Sequence, residues 1–147
     1  MRDDRRGIEG LPLRLVLVAL LISLTLPTMI SVMNQTTSDI AGEKAAEIAK
    51  GIAATIEEMS AGGPGNVRMV NVPNDLLPGV SFTMGGESDS ADCQRIRWNV
   101  NGRQGDRYLV GAIIVTDDGK PILLTAGDSI RLECQTGAWG TIKAVKI

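Results

Sequence analysis

The sequence predicts an α+β fold: a long N-terminal hydrophobic and amphipathic helix followed by a small antiparallel β-sandwich or open barrel. Three observations carry this expectation. Residues 15–33 (LVLVALLISLTLPTMISVM) form nineteen positions without a charge. Residues 34–59 keep apolar residues at the three- and four-residue spacing of a helix face. After the breaker run Ser60-Ala-Gly-Gly-Pro-Gly-Asn66 the pattern changes to short alternating segments separated by turn residues.

The uncharged segment makes a helix of roughly 28 Å, enough to cross the hydrocarbon of a bilayer. The flank before it carries Arg2, Arg5, Arg6 and Arg14 against Asp3, Asp4 and Glu9. That excess of basic residues holds the flank in the cytoplasm and places residues 34–147 outside. No small-x-small cleavage signal follows the apolar run and no cysteine stands near it, so neither an ordinary signal peptide nor a lipoprotein is expected.

From residue 34 to 59 the apolar face comprises Ala41, Ala45, Ile48, Ile52, Ile56 and Met59, with Glu43, Glu47, Lys50, Glu57 and Glu58 turned away from it. Lys44 lies at the edge of the stripe, where Glu47 can pair weakly with it and with Lys50. Beside the isoleucines runs a strict row of small residues, Ala41, Ala45, Ala49 and Ala53, which permits close approach of another helix. Packing of the stripe on the chain's own C-terminal domain is the alternative for the distal half. Gly42 and Gly51 each cost about 1 kcal/mol relative to alanine, so the segment needs a neighbour. An unbroken helix over residues 15–59 would be about 68 Å long, more than a domain of this size can cover.

Seven strands are expected beyond the breaker run: 66–72, 79–84, 94–101, 107–116, 121–125, 129–135 and 139–147. Ile96, Trp98 and Val100 share one face of the third, and Ile130, Leu132 and Cys134 point inward from the sixth. The near-continuous apolar run YLVGAIIV reads as a strand covered on both faces. Asp117-Asp118-Gly119-Lys120 reads as the turn of a hairpin.

Composition narrows the chemistry. A net charge of -2 and only four aromatic residues (two Trp, one Tyr, one Phe) offer no nucleic-acid surface. The absence of histidine removes the commonest general base and metal ligand. Asp117 and Asp118 suit turn hydrogen bonding, and Glu87, Asp89 and Asp92 in a polar loop match no ion-binding spacing. The glycine run at 61–65 lacks the Lys and Ser/Thr of a phosphate loop and reads as a hinge. No catalytic residue, metal or cofactor is expected. Asn34-Gln35-Thr36 is a formal N-glycosylation acceptor at Asn34. Cys93 and Cys134, forty-one positions apart and both expected outside, suggest a disulfide that would stabilise by roughly 4 kcal/mol on chain-entropy grounds; two free buried thiols are the alternative.

Arg5-Arg6-Gly7 followed by Ile8-Glu9, then the apolar helix, its amphipathic continuation and a C-terminal β domain, resembles the type IV pilin-like proteins. The similarity is greatest to archaeal pilins and archaellins with class III signal peptides. It implies that a prepilin peptidase cuts after Gly7, leaving Ile8 as the new N-terminus and Glu9 as the nearby acidic residue; a cut after Gly10, or none, are the alternatives. Pro12 and Arg14 depart from the family pattern. The resemblance further implies a homopolymer assembled through its N-terminal helices by membrane machinery, with the β domains outermost.

The chain therefore reads as a cytoplasmic leader and basic flank (1–14), a membrane-spanning and assembly helix (15–59), a hinge (60–65) and an extracellular β domain (66–147). The expected function is structural: a subunit of an extracellular type IV pilus-like filament for surface adhesion, membrane-inserted before assembly. The alternative is a single-pass anchored surface protein whose β domain binds a ligand or partner. The Ala41–Ala53 spacing is the feature expected to separate them.

Overall fold

The computed structural model describes the backbone of residues 6–137 and 140–147, with side chains from Leu13 onward in those stretches. Among the described residues there is one α-helix, α1 (Arg6–Gly62), and eight strands. These are β1 (Val67–Asn71), β2 (Val80–Met84), β3 (Arg95–Val100), β4 (Arg103–Tyr108), β5 (Ile113–Val115), β6 (Ile122–Leu124), β7 (Ser129–Cys134) and β8 (Thr141–Lys146). A short 3-10 turn, Ala91–Gln94, precedes β3. The chain divides into two compact units, one ending at Thr37 and one formed by Ser38–Ile147. The division thus falls within α1 rather than at residues 60–65, and the second half of the helix belongs with the strands.

The fold is α+β, as the sequence predicts. In the Ser38–Ile147 unit the strands form two four-stranded sheets, ordered β1-β7-β8-β5 and β4-β3-β2-β6, with no closed barrel. All pairings are antiparallel except β5 with β8, which is parallel. The alternation of β2 buries Val80, Phe82 and Met84, that of β3 buries Ile96 and Val100, and that of β7 buries Ile130, Leu132 and Cys134. Ala41, Ala45, Ala49, Ile52, Ala53, Ile56 and Met59 of α1 join the same core, with Ile48 packed at its edge.

Two strand expectations are corrected, and the strands number eight among the described residues where seven are expected. Residues 107–116 are not one strand: β4 ends at Tyr108 in one sheet and β5 begins at Ile113 in the other. The apolar run between them is the connection from one sheet to the other. It buries Leu109 and Ala112 while Val110 stays 76% exposed, and it turns at Gly111, whose φ of 69° suits a residue without a Cβ. The Asp117-Asp118-Gly119-Lys120 turn forms, with Lys120 N–H donating to Asp118 Oδ1 at 3.1 Å, but it joins strands of different sheets and closes no hairpin. The tight hairpin is instead β3–β4, closed by Asn101 (φ 50°) and Gly102 (φ 89°), the pair of left-handed conformations a two-residue type I′ turn requires.

Candidate membrane and assembly surface

The first part of α1 is apolar on every side. Fourteen large hydrophobic side chains from Leu13 to Met33 are each 50–67% exposed, and the most apolar 18-residue window has a mean hydropathy of 2.4 with none of it buried. By length and composition this helix can cross a membrane. Its few hydroxyls are turned back onto the helix. Ser23 Oγ donates to the Leu20 carbonyl at 2.9 Å, Thr25 Oγ1 to Leu21 at 2.9 Å and Thr28 Oγ1 to Thr25 at 2.7 Å. Such back-bonding satisfies polar side chains without water, the condition an apolar environment imposes. Pro27 removes one backbone donor in this stretch.

Gly7, Ile8 and Glu9 lie at the start of α1, with side chains outside the described residues, and the basic flank at residues 1–5 is also outside them. Asn34 is exposed, and Thr36 Oγ1 two positions on donates to the Val32 carbonyl at 3.0 Å.

The small-residue row has a different partner from the one its spacing suggests. Ala41, Ala45, Ala49 and Ala53 are 0–3% exposed within the Ser38–Ile147 unit, and Ile52 and Ile56 are 4% and 0% exposed. Alanine at every fourth position lets a backbone come close to whatever faces it, and here that is the chain's own β core, the alternative named above. The row is therefore not a free helix-docking surface.

Polar contacts hold this half of α1 against the strands. Glu58 makes a two-pronged pair with Arg68 of β1, both N···O distances being 2.8 Å. The Arg68 guanidinium keeps the Glu58 carboxyl below the usual range, first through its hydrogen bonds and then through its charge. Lys44 pairs with Asp75 at 2.6 Å, in place of the expected Glu47, and lowers the Asp75 pKa in the same way. Asp39 meets Arg103 at 2.6 Å, Glu57 Oε1 accepts from Val110 N–H at 3.0 Å, and Ser60 Oγ donates to the Gly111 carbonyl at 2.9 Å. The ion pairs are exposed and each contributes little to stability.

The expected Cys93–Cys134 disulfide is absent: both cysteines are free and buried. Cys93 sits in the 3-10 turn, with its thiol donating to the Ser88 carbonyl at 3.2 Å, and burial pushes that thiol's pKa up. Cys134 is on the inner face of β7 opposite Ile142 and behaves as a small core side chain. No protein-family model, curated protein or solved structure matches the chain.

Two of the acidic residues named in the sequence, Asp92 and Asp117, have basic partners. Asp92 accepts from Arg95 Nη2 at 2.6 Å and from Arg97 Nη2 at 3.5 Å, and Asp117 pairs with Lys143 at 2.6 Å. Among the described residues no group of acidic or cysteine side chains has the arrangement of a metal site. The glycine run at 61–65 is tied to β7, with Gly65 N–H donating to the Cys134 carbonyl at 3.1 Å. Sequence reasoning missed the neighbourhood of Trp98, because the Asn101-Gly102 turn that brings Arg103, Gln104 and Gly105 beside it went unread; the dipeptide itself was the available signal.

Proposed function

We propose that this chain is a structural subunit of an extracellular, type IV pilus-like filament that serves surface adhesion, held in the membrane by its N-terminal helix before assembly. The observation that carries the reading is the uniformly exposed apolar stretch of α1 from Leu13 to Met33. At about 25 cal/mol per Å² of apolar surface, leaving it in water is too costly, so lipid covers it before assembly and in the filament other copies of the same helix take the place of lipid. The basic Arg5-Arg6-Gly7 flank supports removal of the leader by a prepilin peptidase, with Ile8 as the mature N-terminus. Self-association then rests on residues 13–33, since the alanine row is already occupied.

That occupancy also favours a second reading, a β domain anchored by a single membrane helix, because a unit that covers its own amphipathic stripe needs no partner to fold. Electron microscopy of material sheared from expressing cells decides between them. Filaments containing this chain, beginning at Ile8 by mass spectrometry, are the expected result. A chain that keeps residues 1–7, purifies from detergent as a monomer and forms no filaments would replace the filament with the anchor.

A further inference from the structure

An open cleft of about 480 Å³ lies within the Ser38–Ile147 unit, between the start of that unit's helix and the β3–β4 hairpin. Its platform is Trp98, half-buried on β3 and directly opposite Gly105 on β4. The indole lies over Gly105, where a Cβ would overlap its Cζ2 and Cε2 atoms, so this register position tolerates the ring only because the neighbour is glycine. The indole N–H has no acceptor among the described residues and is not sealed from solvent, which leaves it free to donate. Across from it, the helix contributes Gly42, whose missing side chain leaves open space with nothing within 4 Å of a Cβ there.

The rim is polar and of mixed sign. Asp39 and Arg103 pair at 2.6 Å with side chains 64% and 63% exposed, so each keeps hydrogen-bonding capacity toward solvent. Glu43 and Gln104 line the same cleft and are exposed. An aromatic platform with a carboxylate, a guanidinium and an amide around it matches the two surfaces of a pyranose ring. The C–H face of the sugar packs on the electron-rich indole, and its equatorial hydroxyls meet donors and acceptors at the rim. With Asp39 and Arg103 neutralising each other, Glu43 leaves the rim net negative and disfavours acidic sugars.

We infer that the cleft at Trp98, Asp39, Glu43, Arg103 and Gln104 is a binding site for uncharged pyranose sugars. A single open platform supports dissociation constants on the order of 1–10 mM. Binding is a property of the Ser38–Ile147 unit and is read on unassembled protein, so its outcome is separate from that of the filament reading.

The test uses the full chain in a polyoxyethylene detergent, which has no sugar headgroup, with Trp139→Phe so that Trp98 is the sole indole. Its emission is titrated to 100 mM with D-glucose, D-galactose, D-mannose and N-acetyl-D-glucosamine, with glycerol and choline chloride as comparison solutes. The expected result is a saturable change with at least one sugar, and saturation transfer from protein to that sugar's ring protons by NMR. Gly42→Leu places a side chain where a Cβ meets nothing within 4 Å, and should weaken the saturable change at least tenfold while the melting temperature stays the same or rises. A response to every sugar no different from glycerol, saturation by choline alone, or undiminished binding by Gly42→Leu overturns the proposal.

Discussion

The indole of Trp98 occupies the volume that a side chain at Gly105 would need, across the β3–β4 pair. The two residues face each other in the ladder, and the absence of a Cβ on one lets the ring of the other lie over the strand. This sets the position of Trp98 at the edge of the core formed by Ile96 and Val100.

Gly105→Ala should therefore displace the ring and destabilise the protein by about 1–3 kcal/mol, the usual cost of overpacking. Denaturant unfolding of the full chain in detergent measures the loss. A shift of Trp98 emission toward longer wavelength, in a Trp139→Phe background, should accompany it.

Ala49 is fully buried against the strands, so Ala49→Leu should lower the stability of the folded unit itself, again by about 1–3 kcal/mol. Lys50→Leu, one position on and exposed, should leave unfolding nearly unchanged. Equal melting curves for Ala49→Leu and wild type would show that the alanine row does not pack where the fold places it.

Both thiols are free and almost wholly buried, at 1% exposure for Cys93 and 4% for Cys134. A thiol reagent should react slowly with native protein and titrate two groups per chain after denaturation. Reducing agent should leave the melting temperature unchanged. Non-reducing peptide mapping that recovers a linked pair contradicts this.

Asp128 titrates at about 2, below its ordinary 3.8, because Lys146 donates to it at 2.7 Å and the Thr125 N–H and hydroxyl donate at 2.6 and 2.9 Å. A carboxyl with a depressed folded-state pKa stabilises the protein above its unfolded value and loses that contribution as pH falls through the folded one. Asp128→Asn should thus be less stable than wild type at neutral pH, with the difference closing between about pH 4 and pH 2. Parallel thermal melts across that range read the convergence.

Much of this molecule was legible along the chain because the signals are local. Charge-free length at residues 15–33, helical spacing through Met59, the glycine-rich stop at residues 61–65 and the inward alternation of Ile130, Leu132 and Cys134 each reflect one element's own periodicity. What each face meets is not encoded in that periodicity. Small residues on α1 suit a neighbouring helix or a sheet equally, and only tertiary packing assigned Ala41, Ala45, Ala49 and Ala53 to the chain's own core. Likewise an apolar run through Leu109 and Ala112 reads as a strand whether it stays in one sheet or connects two, and the turn at Gly111 decides. Two cysteines in one sequence also say nothing of their separation in space, because a disulfide requires two sulfurs about 2 Å apart and tertiary placement sets that distance: Cys93 is held by its own 3-10 turn and Cys134 by β7, and both are free thiols in the fold.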